Sequence, residues 1–349
     1  LVALAAAPAV EGKGKHDWPH FRGPNGDGIS TETGLLKEWP ANGPPLLWTA
    51  RGLGLGFGTP SVAGGRIYGI GSRDGKDGVW AVNEADGSNL WFTPYSDTAK
   101  VLRQNNGPTS TPTVANGRVY AVSLGGTLAC FDAADGKLVW EKNYVSEFGG
   151  KVPAWGYSES VLVDGDRVIC IPDGEKAAVV ALKADTGSEL WRTAAGPIGG
   201  GSGYSSVVKA TVAGVPQYLA LLGDKGGLIG VGTDGKLLWQ YNTNKAATGG
   251  VAQIPMPIVR GDKVFVSTSY GGGAALVQLV PAAGGKFTVK EIKTYKKPEL
   301  NNHHGGMVLV GDHVYFGHDQ NQGYPVCVDF NTGEIVWGPE KNASKVSGG

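Results

Sequence analysis

Five stretches of this chain hold the residue types from which a binding or catalytic site is made, and they fall about 50 residues apart. They are Arg103 to Ser110, which includes Asn105-Asn106, then Trp155-Gly156-Tyr157-Ser158-Glu159 and Ser202-Gly203-Tyr204-Ser205-Ser206. Gln253-Ile254-Pro255-Met256 and Asn301-Asn302-His303-His304 follow. Amides and hydroxyls donate and accept hydrogen bonds, aromatic faces stack on flat ligands, and imidazole is both a metal ligand and a proton carrier near neutrality. His303-His304 is the most chemical pair. Adjacent residues on an extended strand point to opposite faces, so the two are not expected to share one metal. One of them with His313 or His318 would suit zinc, copper or iron, and a buried histidine held by a backbone carbonyl is the plainer reading. There is no His-Glu-x-x-His and no Cys-x-x-Cys. Asn25-Gly26-Asp27-Gly28 falls short of a calcium loop and reads as a turn. Gly52 to Gly58 is rich in glycine, but no helical pattern follows it, so a dinucleotide site lacks its context. Ser205 and Ser206 have no nucleophile-elbow setting, and neither a triad nor paired carboxylates emerges, so no catalytic residue and no metal site is expected.

The elements that position these stretches come from an internal repeat. Aligned on tryptophan, Ala81 to Asp86-Gly87 runs to Trp91, Cys130 to Asp135-Gly136 to Trp140, and Ala181 to Thr186-Gly187 to Trp191. Asp234-Gly235 precedes Trp239, and Thr332-Gly333 precedes Trp337. Each glycine lies four residues before its tryptophan, and the copies are 48 to 51 residues apart. Gly284 to Val289 reads as a worn copy with Val289 in the tryptophan place. A second motif recurs: Thr59-Pro60-Ser61-Val62 leads through Gly64-Gly65 to Arg66-Ile67-Tyr68, and Thr111-Pro112-Thr113-Val114 leads through Asn116-Gly117 to Arg118-Val119-Tyr120. Short apolar runs around Asn-Gly and Gly-Asp pairs are hairpins, because those residues tolerate positive φ. The unit is thus about four short strands, with no convincing helical period. Such a unit cannot bury both sheet faces alone, and radial stacking into a β-propeller resolves that. Trp48, Trp91, Trp140, Trp191, Trp239 and Trp337 are read as structural, filling the gap to a neighbouring blade, with the glycine permitting the close turn that lets the ring dock. On such a ring the five polar stretches would converge on an axial mouth lined by Asn106, Trp155, Tyr157, Tyr204, Ser205, His303 and His304. That these residues only satisfy backbone groups in their own turns fits the pattern equally.

Composition agrees with an all-β chain. Of 349 residues 58 are glycine, 10 tryptophan and 12 tyrosine, while only 18% are charged. The glycines show no three-residue period, which excludes collagen. Thirty-one basic residues balance 31 acidic ones and no basic stripe stands out, so nucleic acid is not an expected partner. The lysines from Lys290 to Lys297 read as a solvated strand edge. Cys130, Cys170 and Cys327 are widely separated and odd in number, which points to buried thiols rather than a disulfide framework. Leu1 to Val10 resembles the end of a signal peptide, and no window has the length of a membrane helix. An exported protein of the periplasm or cell envelope is expected. The organisation expected is a signal remnant and lead over 1–15, an N-terminal extension over 16–45, a propeller over 46–338 and a tail over 339–349. Leu46-Leu47-Trp48 looks like the outer strand of a unit whose other strands are not upstream. Six units are visible, and a ring of seven or eight that continues past this chain is the expectation.

The repeat resembles the tryptophan-docking motif Ala-x-Asp-x-x-Thr-Gly-x-x-x-Trp of PQQ-dependent quinoprotein dehydrogenases and their cofactor-free relatives. Cys327 to Trp337 matches except at its first residue, and Ala181 to Trp191 except that Lys183 replaces the aspartate. Trp18-Pro19-His20-Phe21-Arg22-Gly23-Pro24 is similar to the opening of PQQ-like repeat proteins of bacterial envelopes, a class that includes the lipoprotein scaffold of the outer-membrane β-barrel assembly machine. The dehydrogenases stack their quinone between a tryptophan and a disulfide of adjacent cysteines and hold calcium with Glu, Asn and Asp. Here no two cysteines adjoin, and although Trp155 resembles a stacking floor and Glu159 or Asn302 a calcium ligand, the full set is not matched. The resemblance therefore implies a non-catalytic scaffold with no cofactor, binding proteins or envelope glycans. A dehydrogenase using PQQ with calcium, and a glycan or small-ligand binder at the mouth, are the alternatives.

Overall fold

A computed structural model of the chain describes residues 16–101, 107–199, 203–223, 227–243, 253–270, 272–296, 298–304 and 306–340. Asn106, the lead over 1–15 and the tail from 341 lie outside the described residues. The protein is an all-β chain of the β-propeller class, built from six four-stranded antiparallel sheets whose strands follow one another in chain order.

Blade one contains β1 (Ser61–Ala63), β2 (Arg66–Arg73), β3 (Lys76–Asn83) and β4 (Asn89–Asp97). Blade two has β5 (Thr113–Ala115), β6 (Arg118–Val122), β7 (Thr127–Asp132) and β8 (Leu138–Asn143). A single helical turn, α1 (Tyr144–Phe148), follows, capped by Asn143 Oδ1, which accepts from the Val145 and Ser146 amides. Blade three holds β9 (Leu162–Asp164), β10 (Arg167–Cys170), β11 (Val179–Lys183) and β12 (Glu189–Thr193). Blade four holds β13 (Val208–Val212), β14 (Val215–Leu221), β15 (Gly227–Gly232) and β16 (Leu237–Asn242). Blade five is β17 (Ile258–Arg260), β18 (Lys263–Ser267), β19 (Gly273–Pro281) and β20 (Phe287–Lys296). Blade six is β21 (Val308–Val310), β22 (His313–His318), β23 (Tyr324–Asp329) and β24 (Ile335–Trp337). The chain divides into two compact units, Leu1–Lys142 with Ala154–Ser160, and Asn143–Pro153 with Val161–Gly349.

Within each unit the core lies between consecutive blades. In the first, Tyr68, Val79 and Ala81 pack on Val119, Ala129 and Phe131. In the second, one cluster joins blades three and four, a second joins four and five, and a third joins five and six. The second and third strands of blades four and five read as nearly continuous apolar runs because neighbouring blades cover both of their faces.

The tryptophans occupy one position in the register. Tyr68 pairs with Ala81 and Ala81 with Trp91; the same row is Ile169–Ala181–Trp191, Leu219–Gly230–Trp239 and Tyr315–Cys327–Trp337. A β-bulge follows the row each time. In blade five the row is Phe265–Leu276–Lys293, with the bulge between Leu276 and Val277. Lys293 therefore stands in the tryptophan place, not Val289. The β19–β20 hairpin runs on beyond the bulge to Pro281 and Phe287, so Gly284-Gly285 is the tip of a longer hairpin, and a fixed offset counted back from the tip misses the register.

The glycine has a different duty from the one its spacing suggests. It receives the ring of the preceding repeat, not its own. A Cβ on Gly87 would overlap Trp48; on Gly136 it would come within 2.5 Å of Trp91, and on Gly235 within 2.8 Å of Trp191. All three have φ between +70° and +85°, which glycine alone adopts without strain. Hydrogen bonds complete the dock. Trp48 Nε1 donates to Glu84 O and Trp191 Nε1 to Thr233 O, while Thr93 and Thr193 hydroxyls donate to Gly136 O and Gly235 O. Trp48 is thus docked on blade one, although Leu46 and Leu47 beside it are exposed and belong to no strand. At Gly333 the aliphatic stem of Lys293 takes the place of the ring, its ammonium pairs with Glu334 at 2.8 Å, and Tyr295 Oη donates to Gly333 O.

Gly235→Ala places a methyl against the Trp191 ring, whereas Gly214 has a similar φ of +80° but open space around it. Gly214→Ala is expected to cost about 1–2 kcal/mol, the backbone penalty alone. Gly235→Ala is expected to exceed it by a further 1–3 kcal/mol, roughly the cost of overpacking. Urea midpoints of the two variants check the difference; equal midpoints would mean that the ring yields freely.

Candidate binding site

The described parts of the polar stretches lie in loops that lead into first strands, and several hydrogen bonds join such loops about 50 residues apart. In the first unit Ser61 Oγ donates to Pro112 O, the Thr111 amide to Ser160 Oγ, and Thr109 Oγ1 lies 2.7 Å from Ser158 Oγ. Tyr157 is buried, with its amide on Leu124 O, while Trp155 is 41% exposed. The N-terminal extension joins the same strands. Trp18 bridges Val62 of β1, and Pro19 O accepts from Val114 of β5. The Asn25 to Gly28 run is a turn folded on the Arg22 guanidinium, which donates to Gly26 O and Asp27 O.

In the second unit the Tyr204 amide donates to Gln253 O and Ser205 Oγ to Pro255 O. Asn302 is buried, its amide on Ser267 Oγ and its side-chain nitrogen on Gly317 O. His303 and His304 do not diverge. The chain bends there instead of running straight, and the two rings lie 3.6 Å apart at 33°, with Tyr270 edge-on to His303 at 4.9 Å. His303 Nδ1 is 2.8 Å from Gln320 O. A carbonyl only accepts, so Nδ1 carries the proton and Nε2 keeps its lone pair. His303 is buried and His304 exposed. Desolvation holds the pKa of both below the ordinary 6.5, through partial covering of the ring even at His304, where the charge of His303 adds to the effect. His318 is buried against the backbone of Asn301 and His313 lies at the start of β22, so neither joins the pair.

Sequence reasoning missed Ser269, Tyr270 and Gln320 in this region. Tyr270 has φ +57°, an uncommon state for an aromatic residue, and only the Tyr-Gly-Gly-Gly run beside it hinted at a special turn. Gln253 Nε2 and Oε1, Ser269 Oγ and Asn302 Oδ1 are buried without a protein partner. An amide left so costs about 1–3 kcal/mol, so polar atoms of water or ligand are its natural complement. The arrangement can hydrogen-bond and stack. Its hydroxyls have no activating base within the hydrogen bonds described, and no group of three or more His, Cys, Asp or Glu is placed to hold a metal among the described residues.

Six four-stranded blades, most with a tryptophan at one register position and several of those rings seated on the glycine of the next repeat, define a PQQ-like β-propeller repeat protein. Residues 96–338 match the family described as outer membrane protein assembly factor BamB, and the chain belongs to that family. Its curated relatives include BamB of Burkholderia pseudomallei, 28% identical over 56% of this chain and 45% of the relative. BamB of Moranella endobia is 27% identical over 72% of this chain and 59% of the relative, so the chain spans about half the length of these relatives. Among solved structures, BamB from Moraxella catarrhalis is similar with a TM-score of 0.53 and 17% identity, covering 84% of this chain and 77% of that one. The quinohemoprotein alcohol dehydrogenase from Comamonas testosteroni is similar at 0.52 and 14%, covering 92% and 72%. These two likenesses establish the fold alone.

The cysteines do not form the disulfide floor of the dehydrogenases' quinone site. Cys130, Cys170 and Cys327 are each buried and free, and burial pushes the Cys130 thiol up to about 12. A floor of bonded adjacent cysteines is therefore not formed.

The lowered histidine pKa values set a sign. Above pH 6.5 both rings are neutral in the folded and unfolded chains and the contribution to stability is full. As pH falls from 6.5 through the depressed native values, the unfolded chain takes up protons first and stability is lost. Urea midpoints are expected to fall on acidification below 6.5, and His303→Gln with His304→Ala to flatten that slope. An unchanged slope would show the pair to be solvated like free histidine.

Proposed function

We propose that this protein is a non-catalytic binding scaffold of the bacterial envelope, exported to the periplasm, that recruits protein partners. The observation that carries the reading is the match of residues 96–338, five of the six blades and the end of β4, to a family described as an assembly factor. The loop geometry supports it: described loop side chains on both units end in hydrogen-bonding and aromatic groups suited to contact with a partner. Trp155 and His304, both exposed, are the loop residues offered to a partner. No helix among the described residues is long and apolar enough to cross a membrane.

Affinity isolation of the tagged protein from its own envelope is expected to retain components of outer-membrane β-barrel assembly. Trp155→Ala with His304→Ala is expected to cut that retention by about tenfold, the effect of losing one strong contact, without moving the unfolding midpoint. A thermal shift with PQQ and calcium is expected to be flat, since only a ligand of the folded state raises the melting point. Isolation without partners, together with a clear rise on adding PQQ and calcium, would overturn the scaffold in favour of a quinoprotein dehydrogenase.

A further inference from the structure

The loop that leads into blade six holds its two imidazoles, at neutral pH, as an uncharged pair. His304 lies on His303 with ring centres 3.6 Å apart, and Tyr270, from the turn after β18, meets His303 edge-on at 4.9 Å. His303 Nδ1 donates to Gln320 O in the turn after β22, so three segments of the chain converge on one buried ring. The titratable groups beside the pair in these segments are Tyr270, Asp319 and His318. Asp319 Oδ1 accepts from the Gln320 amide, and His318 Nδ1 is turned to the backbone of Asn301. No carboxylate among the described residues offsets the desolvation of either imidazole, and the charge of His303 bears directly on His304.

One proton leaves the stack intact, because an imidazolium still packs against the face of a neutral ring. A second does not. Like charges 3.6 Å apart repel, and neither ring has a counter-ion. The rings part unequally: His303 is buried and tied to Gln320, while His304 is exposed and gains hydration by turning outward. The region around them is poised to give. Tyr270 holds a φ of +57°, a strained state for an aromatic residue that its neighbours must maintain. Ser269 and Asn302, next in the chain to Tyr270 and His303, keep buried polar atoms with no protein partner, which opening to water satisfies.

We propose that the His303–His304 pair is an acid-operated switch: it keeps the loop into blade six closed while the stack is neutral or singly charged, and swings His304 off His303 when both rings carry a proton. Protonation of clustered histidines acts in this way wherever a packed pair has no counter-charge. The proposal rests on the scaffold reading, in which His304 is offered to a partner, and it gives that contact a regulation. The contact is made at neutral pH and withdrawn in acid.

The test follows the imidazole and amide signals of the isotope-labelled full chain by NMR from about pH 8 to about pH 4.5, the range that spans histidine titration. Two separate steps are expected for the pair, both below 6.5, because the second proton must enter beside the first. The NOE between the His303 and His304 rings is expected to vanish across the second step. The amides of Tyr68 and Val119 in blade one are expected to keep their shifts, which separates a local opening from unfolding. His303→Gln, whose amide can still donate to Gln320 O, is expected to leave His304 titrating in one step. His304→Phe keeps a ring over His303 without a second charge, and supplies a second variant should the first not fold; its ring-to-ring NOE is expected to persist in acid. Retention of envelope components is expected to fall at least about fivefold between about pH 7.5 and about pH 5.5, and that ratio to approach one in His303→Gln. Retention of nothing at either pH counts against the scaffold reading, while the ring signals decide the switch without any partner. Both rings titrating together near 6.5, an NOE that survives in acid, or retention indifferent to pH while the rings part would each overturn the proposal.

Discussion

An indole ring seated on a glycine of the next repeat is the contact on which this fold turns. A four-stranded blade leaves both faces apolar, and the sheets twist, so the gap to the neighbouring blade widens toward the fourth strand. A large flat ring fills that gap only where the opposing chain has no Cβ and can hold φ near +70° to +85°. Gly87, Gly136 and Gly235 meet both conditions, and the threonine two residues after the ring, Thr93 or Thr193, fastens the glycine carbonyl. Burying half of such a ring contributes about 2–3 kcal/mol at 25 cal/mol per Å². A lost dock therefore matters against a total stability on the order of 10 kcal/mol.

Because the docks are made at the outer strands, the loops entering the first strands carry a different load. Their backbone and hydroxyl groups join loops about 50 residues apart, as in Thr111 to Ser160 and Ser205 to Pro255. Once those bonds are made, other side chains are left over. Trp155 and His304 face solvent, and Gln253 and Ser269 keep polar atoms that the protein does not satisfy. A rigid frame with uncommitted groups on its loops is suited to binding without chemistry. Between blades four and five the longer β19–β20 hairpin carries its glycine tip away from any ring, and Trp239 donates to Gln217 of its own blade instead.

Legibility differed by level. Repeat length, the six visible units, hairpin turns and most of the row of tryptophans were written locally, since each depends on residues a few positions apart and on the intrinsic limits of glycine. The worn copy was misplaced for the same reason: four residues beyond the bulge shift the count but not the register, and the hydrogen-bonded pairing that assigns Lys293 its position lies in another strand. At the site, the pattern located Tyr204, Ser205 and the histidines. It did not reveal that a bend would stack His303 on His304, or that Tyr270 and Gln320 would meet them, because those contacts join loops 17 and 33 residues away.

The amino-acid sequence by itself determined a propeller of tryptophan-bearing blades, because a period near 50 residues and a fixed glycine-to-tryptophan offset express backbone geometry that no other fold requires. Only the tertiary structure decided which ring sits on which glycine, that the ring belongs to the preceding blade, and where that arrangement gives way. Those outcomes depend on the close approach of atoms some 40 to 50 residues apart in the chain, and burial and ring orientation exist only once the blades have packed.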